Sequence, residues 1–180
     1  MKILVLDTET TDLISNSVIA LEKQPHVIEF YGEVIDLSKK GKVLASHECL
    51  CNPGFRISDE ITRITSITND DLEGKEPFSK HLPVIISKLF RKADAVAAHN
   101  LKFDKGILDI AAKRAGIKIP WPPVQICTVE ATEWLKGHRM KLSDLHVHLF
   151  EESFKDAHRA RHDVQALSRC IVELKKREVI

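Results

Sequence analysis

At 180 residues, 43% of them hydrophobic and 29% charged, the chain has globular composition and length for a single domain over residues 1–180, with neither collagen-like nor disordered bias. Its 27 lysines and arginines against 26 aspartates and glutamates leave a net charge of +1, which excludes no partner class, since a nucleic-acid binder need only gather its basic groups on one face. The apolar start ends in Asp7, too soon for a signal-peptide core or a membrane span, and predicts a soluble cytoplasmic protein without membrane contact.

Ile3, Leu4, Val5 and Leu6 form a continuous apolar run, which predicts a buried strand over 2–6. Asp7 and Glu9 follow two apart, so at a strand end the pleat sends both side chains to one face of the sheet. Two carboxylates side by side in a partly buried place are costly without a shared proton or a bound cation. Strands over 27–35 and 43–50, joined by the turn-forming Ser-Lys-Lys-Gly at 38–41, extend the first into an antiparallel meander. Cys49 and Cys51 face the same side of the third strand, at a spacing that matches neither a zinc knuckle nor a redox pair. With Cys127 and Cys170 they read as reduced thiols.

From position 77 the apolar spacing becomes helical, with Leu82, Ile85, Ile86 and Leu89 three and four apart. A short strand over 93–98 leads to a helix over 101–115 that sets Ile107, Leu108 and Ala111 on one face and closes at Gly116. Asp104 sits in the first turn of that helix, three and four residues before Ile107 and Leu108, and so belongs to the face turned to the sheet. A lone acid there serves as readily as a helix-dipole partner. Next come a strand over 124–127, helices over 129–135 and 142–150, and a last helix over 160–177 carrying Val164, Leu167, Ile171 and Leu174 inward. Asp163 precedes Leu167 by four and shares that stripe.

His146 and His148, two apart in a helix, point about 200° from one another and read as surface residues. His158 on the helix of Asp163 would be turned about 140° from that acid, so it belongs ahead of the helix on a loop, while His162, about 100° off, belongs on the helix flank. Lys136, His138, Arg139 and Lys141 form a basic cluster in a loop between helices, suited to touch phosphate.

A meander followed by strands alternating with helices describes an α/β protein on one mixed five-stranded sheet, three antiparallel strands then two parallel, with helices on both faces. Asp7, Glu9, Asp104 and Asp163 with His158 are the equipment for holding two divalent cations and activating a water against a phosphodiester.

Four stretches resemble, in order, the DEDDh branch of the 3′ to 5′ exonucleases, the group that includes the proofreading epsilon subunit of bacterial DNA polymerase III and ribonuclease T. They are Leu-Asp-Thr-Glu-Thr-Thr at 6–11, Glu-Ile-Thr-Arg-Ile-Thr-Ser-Ile-Thr-Asn-Asp-Asp-Leu at 60–72, Ala-His-Asn-Leu-Lys-Phe-Asp at 98–104 and Ala-His-Arg-Ala-Arg-His-Asp-Val-Gln-Ala-Leu at 157–167. The resemblance implies a ribonuclease H-like fold, a single exonuclease domain and two Mg²⁺ or Mn²⁺ ions about 4 Å apart. It implies that Asp7 bridges the ions, Glu9 and Asp163 complete the site of the attacking water, Asp104 supports the second ion, and His158 takes the proton of the water. It further implies that Thr10 holds the terminal nucleotide, Ile64 wedges against the end bases, and Asn100 and Phe103 line the pocket. The expected activity is release of nucleoside 5′-monophosphates from single-stranded or frayed DNA 3′ ends. Trimming of RNA 3′ ends is one alternative, and a non-catalytic subunit beside a DNA polymerase another. Three features depart from the family pattern: Asp12 stands where glycine is usual, at a turn where a left-handed backbone is expected, the loop over 14–25 is long, and His162 replaces a small residue.

Overall fold

The computed structural model describes residues 1–15, 20–154 and 159–180. In chain order the elements are β1 (Lys2–Thr10), β2 (Val27–Asp36), β3 (Lys42–Leu50), α1 (Asp59–Thr65), α2 (Asn69–Leu72), α3 (Phe78–Lys88), β4 (Ala95–Ala98), α4 (Leu101–Ala115), β5 (Val124–Cys127), α5 (Thr128–Lys136), α6 (Leu142–Phe150) and α7 (Ala160–Lys176). The strands make one sheet in the order β3-β2-β1-β4-β5. β1 and β3 flank β2 antiparallel, while β4 runs parallel to β1 and β5 parallel to β4, so the mixed sheet expected from the sequence is borne out.

Alternation along the strands divides the core in two. Leu4, Leu6, Phe30, Val34, Val96 and Ala98 pack under α3 and α4. Ile3, Val5, Tyr31, Ile35, Ala95 and Ala97 pack under the Val164, Leu167 and Ile171 stripe of α7. Full burial of a side chain of the larger sizes stabilises by roughly 1.5–3 kcal/mol, so both layers clamp β1 and leave its C-terminal end as the place where two helices of opposite faces converge. Gly32 in β2 suits this packing: a Cβ there would lie 3.0 Å from the Phe30 ring and 3.1 Å from Leu89, so both side chains would have to give way.

β1 is longer than expected, running past residue 6 to Thr10, because its ladder with β2 continues through Asp7 opposite Tyr31 and Glu9 opposite Glu29 before a register shift at Thr10. α1 and α2, of 7 and 4 residues, had no counterpart among the expected elements. Both are held by local caps rather than long apolar periodicity, Ser58 accepting from the Ile61 amide and Thr68 forming a capping box with Asp71. Gly116 ends α4 at φ 64°, as expected. His146 is a correction: it is 2% exposed, donates through Nδ1 to the Glu152 carbonyl at 2.8 Å and packs against Phe150 and Phe154, so it is a core residue and not a surface one. No helix among the described residues is long and apolar enough to cross a membrane.

Candidate active site

Asp7 and Glu9 project from β1 on the face covered by α7, and Asp163 in the first turn of α7 meets them. One carboxylate oxygen from each of the three lies within 4.8 Å of the others. Asp104 approaches from α4 across the opposite face. It is 1% exposed and accepts from the backbone N–H of Thr8 at 3.1 Å and from the Thr8 hydroxyl at 2.9 Å. The residue between Asp7 and Glu9 thus latches the fourth acid to the strand that carries the first two.

The charges are mutually unfavourable. Burial, then Asp104, Glu9 and Asp163, raises the Asp7 carboxyl well above its ordinary range. Burial, then Asp163 and Glu29, pushes Glu9 up to about 8. Burial pushes Asp104 up to about 7 against the lowering effect of its Thr8 hydrogen bonds. An all-oxygen donor set that resists ionisation by itself fits a hard divalent cation, which would replace the protons as the source of positive charge.

A cavity of about 420 Å³ opens beside these acids, and its lining includes Glu9, Thr10, Leu13, Ile61, Ile64 and Phe103. Three of the four residues expected to contact a nucleotide therefore share one wall system. Asn100, the fourth, is exposed in the left-handed turn ahead of α4 at φ 79°, outside that lining. Thr10 donates its hydroxyl to the Asp12 carbonyl at 2.8 Å. Asp12 does not take the left-handed backbone expected of a glycine substitute; its side chain instead accepts from the Leu13 amide at 2.7 Å and turns the chain that way. Arg114 of α4 donates to the carbonyls of Leu21, Gln24 and Pro25, tying the described part of the long loop to the helix that bears Asp104. His158 lies outside the described residues. His162 is half-buried on α7, where a helix-flank position was expected.

One acid beside the site escaped the reading of the chain. Glu29, 1% exposed, stands opposite Glu9 in the ladder and is held by Arg159, whose Nη2 lies 2.7 Å from its Oε1, and by the Ala160 amide at 2.9 Å. Its signal was a charged residue flanked by Val27, Ile28, Phe30 and Tyr31 in β2, where every position is buried.

A profile of the exonuclease family, RNase_T, matches residues 4–170. The chain belongs to the exonuclease family. It is an enzyme of the class that hydrolyses phosphodiester bonds, as the resemblance implied. The chain is 31% identical over 157 residues to a DNA polymerase III of PolC type from Lacticaseibacillus paracasei, an alignment covering 81% of this chain and 10% of the relative. It is 28% identical to the corresponding protein of Streptococcus suis, covering 93% of this chain and 11% of that one. The chain spans about a tenth of the length of these curated relatives. Among solved structures, a full-length 3′-exonuclease superposes with TM-score 0.79 at 17% identity, covering 99% of this chain and 83% of that one. The nuclease domain of 3′hExo, a DEDDh family member bound to rAMP, gives 0.76 at 16% identity over 98% and 92% of the two chains. Exonuclease X in complex with 5′ overhanging duplex DNA gives 0.66 at 19%, over 97% and 92%. The ribonuclease H-like fold is shared with these exonucleases.

Proposed function

We propose that this exonuclease domain, over residues 1–180, is a metal-dependent 3′ to 5′ nuclease that removes nucleoside 5′-monophosphates from single-stranded or frayed DNA ends. The observation that carries the reading is the convergence of Asp7, Glu9 and Asp163 beside a cavity walled by Ile64 and Phe103. Two divalent cations, Mg²⁺ or Mn²⁺, held by Asp7, Glu9, Asp104 and Asp163, would supply charge stabilisation to the entering and leaving oxygens.

The remaining work falls to side chains of the chain itself. Ile64, 48% exposed at the cavity, offers an apolar surface on which the end bases can rest, and Phe103 offers a ring on which one can stack. Thr10 and Asn100 supply polar contacts to the terminal nucleotide. His158 takes the proton of the attacking water on a ring nitrogen, the general-base role to which an imidazole side chain is suited. As the new P–O bond forms, the bond to the 3′ oxygen breaks and the shortened strand leaves with a 3′-hydroxyl.

Similarity to DNA polymerases of PolC type supports DNA as substrate and a polymerase as partner. The neighbour bound to rAMP favours RNA ends as the second reading. Incubation of 5′-labelled single-stranded DNA, duplex DNA and RNA with the protein and Mg²⁺ or Mn²⁺ tests all of this. Progressive shortening from the 3′ end, fastest on single-stranded DNA and stopped by a chelator, is expected. A wild-type protein that leaves all three substrates intact overturns it, and faster shortening of RNA than DNA reverses the substrate.

A further inference from the structure

On the sheet face opposite Asp7 and Glu9, a second group of ligand atoms converges. His47 and Cys49 lie two apart on β3, opposite Gly32 and Phe30, so both point to the side covered by α3. His81, in the first turn of α3, reaches the same place. One ligand atom from each of the three lies within 4.8 Å of the others, and the two imidazole rings stand 5.7 Å apart between centroids. His47 Nε2 is buried and has no hydrogen-bond partner among the described residues. A buried ring nitrogen left without a partner is costly, and native proteins leave few of them. A cation between the three residues would satisfy it.

The donor chemistry selects the cation. Two imidazoles and a thiolate are borderline-soft ligands that suit Zn²⁺ and disfavour Mg²⁺ and Mn²⁺, which prefer the oxygen set across the sheet. Cys51 adds an outer partner, its S–H donating to Cys49 Sγ at 3.6 Å. Gly32 keeps the strand position paired with His47 free of a side chain. His47 and His81 are half-buried while Cys49 is buried, so the site is open from the histidine side. We propose that His47, Cys49 and His81 bind one Zn²⁺ with water in the fourth position, a metal site separate from the nuclease acids that ties edge strand β3 to α3.

The test is titration of Co²⁺, a spectroscopic stand-in for Zn²⁺, into the reduced full chain with Mg²⁺ in excess. One equivalent of cobalt should produce a thiolate-to-cobalt charge-transfer band with tetrahedral visible bands, and Zn²⁺ should bleach both. Cys49→Ser should abolish the charge-transfer band. His81→Ala and His81→Gln should each weaken cobalt binding by at least about 100-fold, the upper end of what loss of a mere outer partner costs, with unchanged circular dichroism. Asp7→Asn should leave the band untouched, so the site stands or falls independently of the nuclease reading. Absence of the band in the wild type overturns the proposal, as does its survival in Cys49→Ser with loss in Cys51→Ser.

Discussion

Two groups of potential ligands occupy opposite faces of one sheet, and they are built on opposite chemical terms. Asp7, Glu9 and Asp163 are three acids that repel one another between β1 and α7. His47, Cys49 and His81 are nitrogen and sulfur donors between β3 and α3, with one nitrogen left unsatisfied among the described residues. Both arise from the same device, a pair of residues two apart on a strand joined by one from the first turn of a covering helix. The pleat and the helix supply a three-point cradle, and residue type decides whether it suits a hard or a soft cation.

The largest expected effect separates the two cradles by mutation. Asp7→Asn should reduce strand shortening by at least about 10³-fold, because several kcal/mol of charge stabilisation is lost with the ions, whereas Cys49→Ser should leave the cleavage rate as it was. Parallel end-label assays on both variants read this, and equal loss in both would merge the two sites into one.

A second difference is support from behind. The acid face rests on the buried Glu29, engaged by Arg159. Arg159→Ala should destabilise the fold by about 3 kcal/mol, the low end for breaking a buried pair because the guanidinium side is 39% exposed. Urea denaturation measures it, and a shift below the resolution of the method would show that the pair contributes only position.

The smallest effect is one of sign. Glu9 rises from 4.5 to about 8 and Asp104 from 3.8 to about 7, so the folded metal-free protein keeps protons that the unfolded chain gives up. Stability from these groups is therefore full below the unfolded values near 4 and declines as pH climbs toward about 8. His47 is lowered from 6.5, by burial and then by His81 and Lys88, so its contribution runs the other way and is lost as pH falls below 6.5. Melting temperatures between pH 4 and 8 should drop on the alkaline side without metal and flatten on addition of Mg²⁺. An alkaline decline that Mg²⁺ leaves unchanged would detach it from the acids.

Much of this was legible in the residues because long amphipathic or continuously apolar stretches dominate the fold. The spans expected for α4, β5 and α6 coincide with the observed ones, since each carries its periodicity over its whole length. The approach of Asp163 to Asp7 and Glu9 follows from the same periodicities, one of 2.0 and one of 3.6. What escaped was whatever depends on register or on packing between distant elements. Cys49 and Cys51 looked inert because their spacing suits no metal motif, and the residues that change their meaning are His47 on the same strand face and His81 on a helix more than thirty positions on. His146 looked exposed from its angle to His148 alone, whereas Phe150, one turn on along the same helix, and Phe154 beyond the helix end pack against its ring. Asp12 satisfied its turn through its side chain, an option that the expected backbone left out.

The Ala160 amide, which opens α7, donates to Glu29 of β2, since the residue ahead of the helix, Arg159, provides no side-chain cap. A strand thus does for this helix what its own preceding loop ordinarily does. The rotational phase of α7, and with it the direction of Asp163, is therefore set by the sheet.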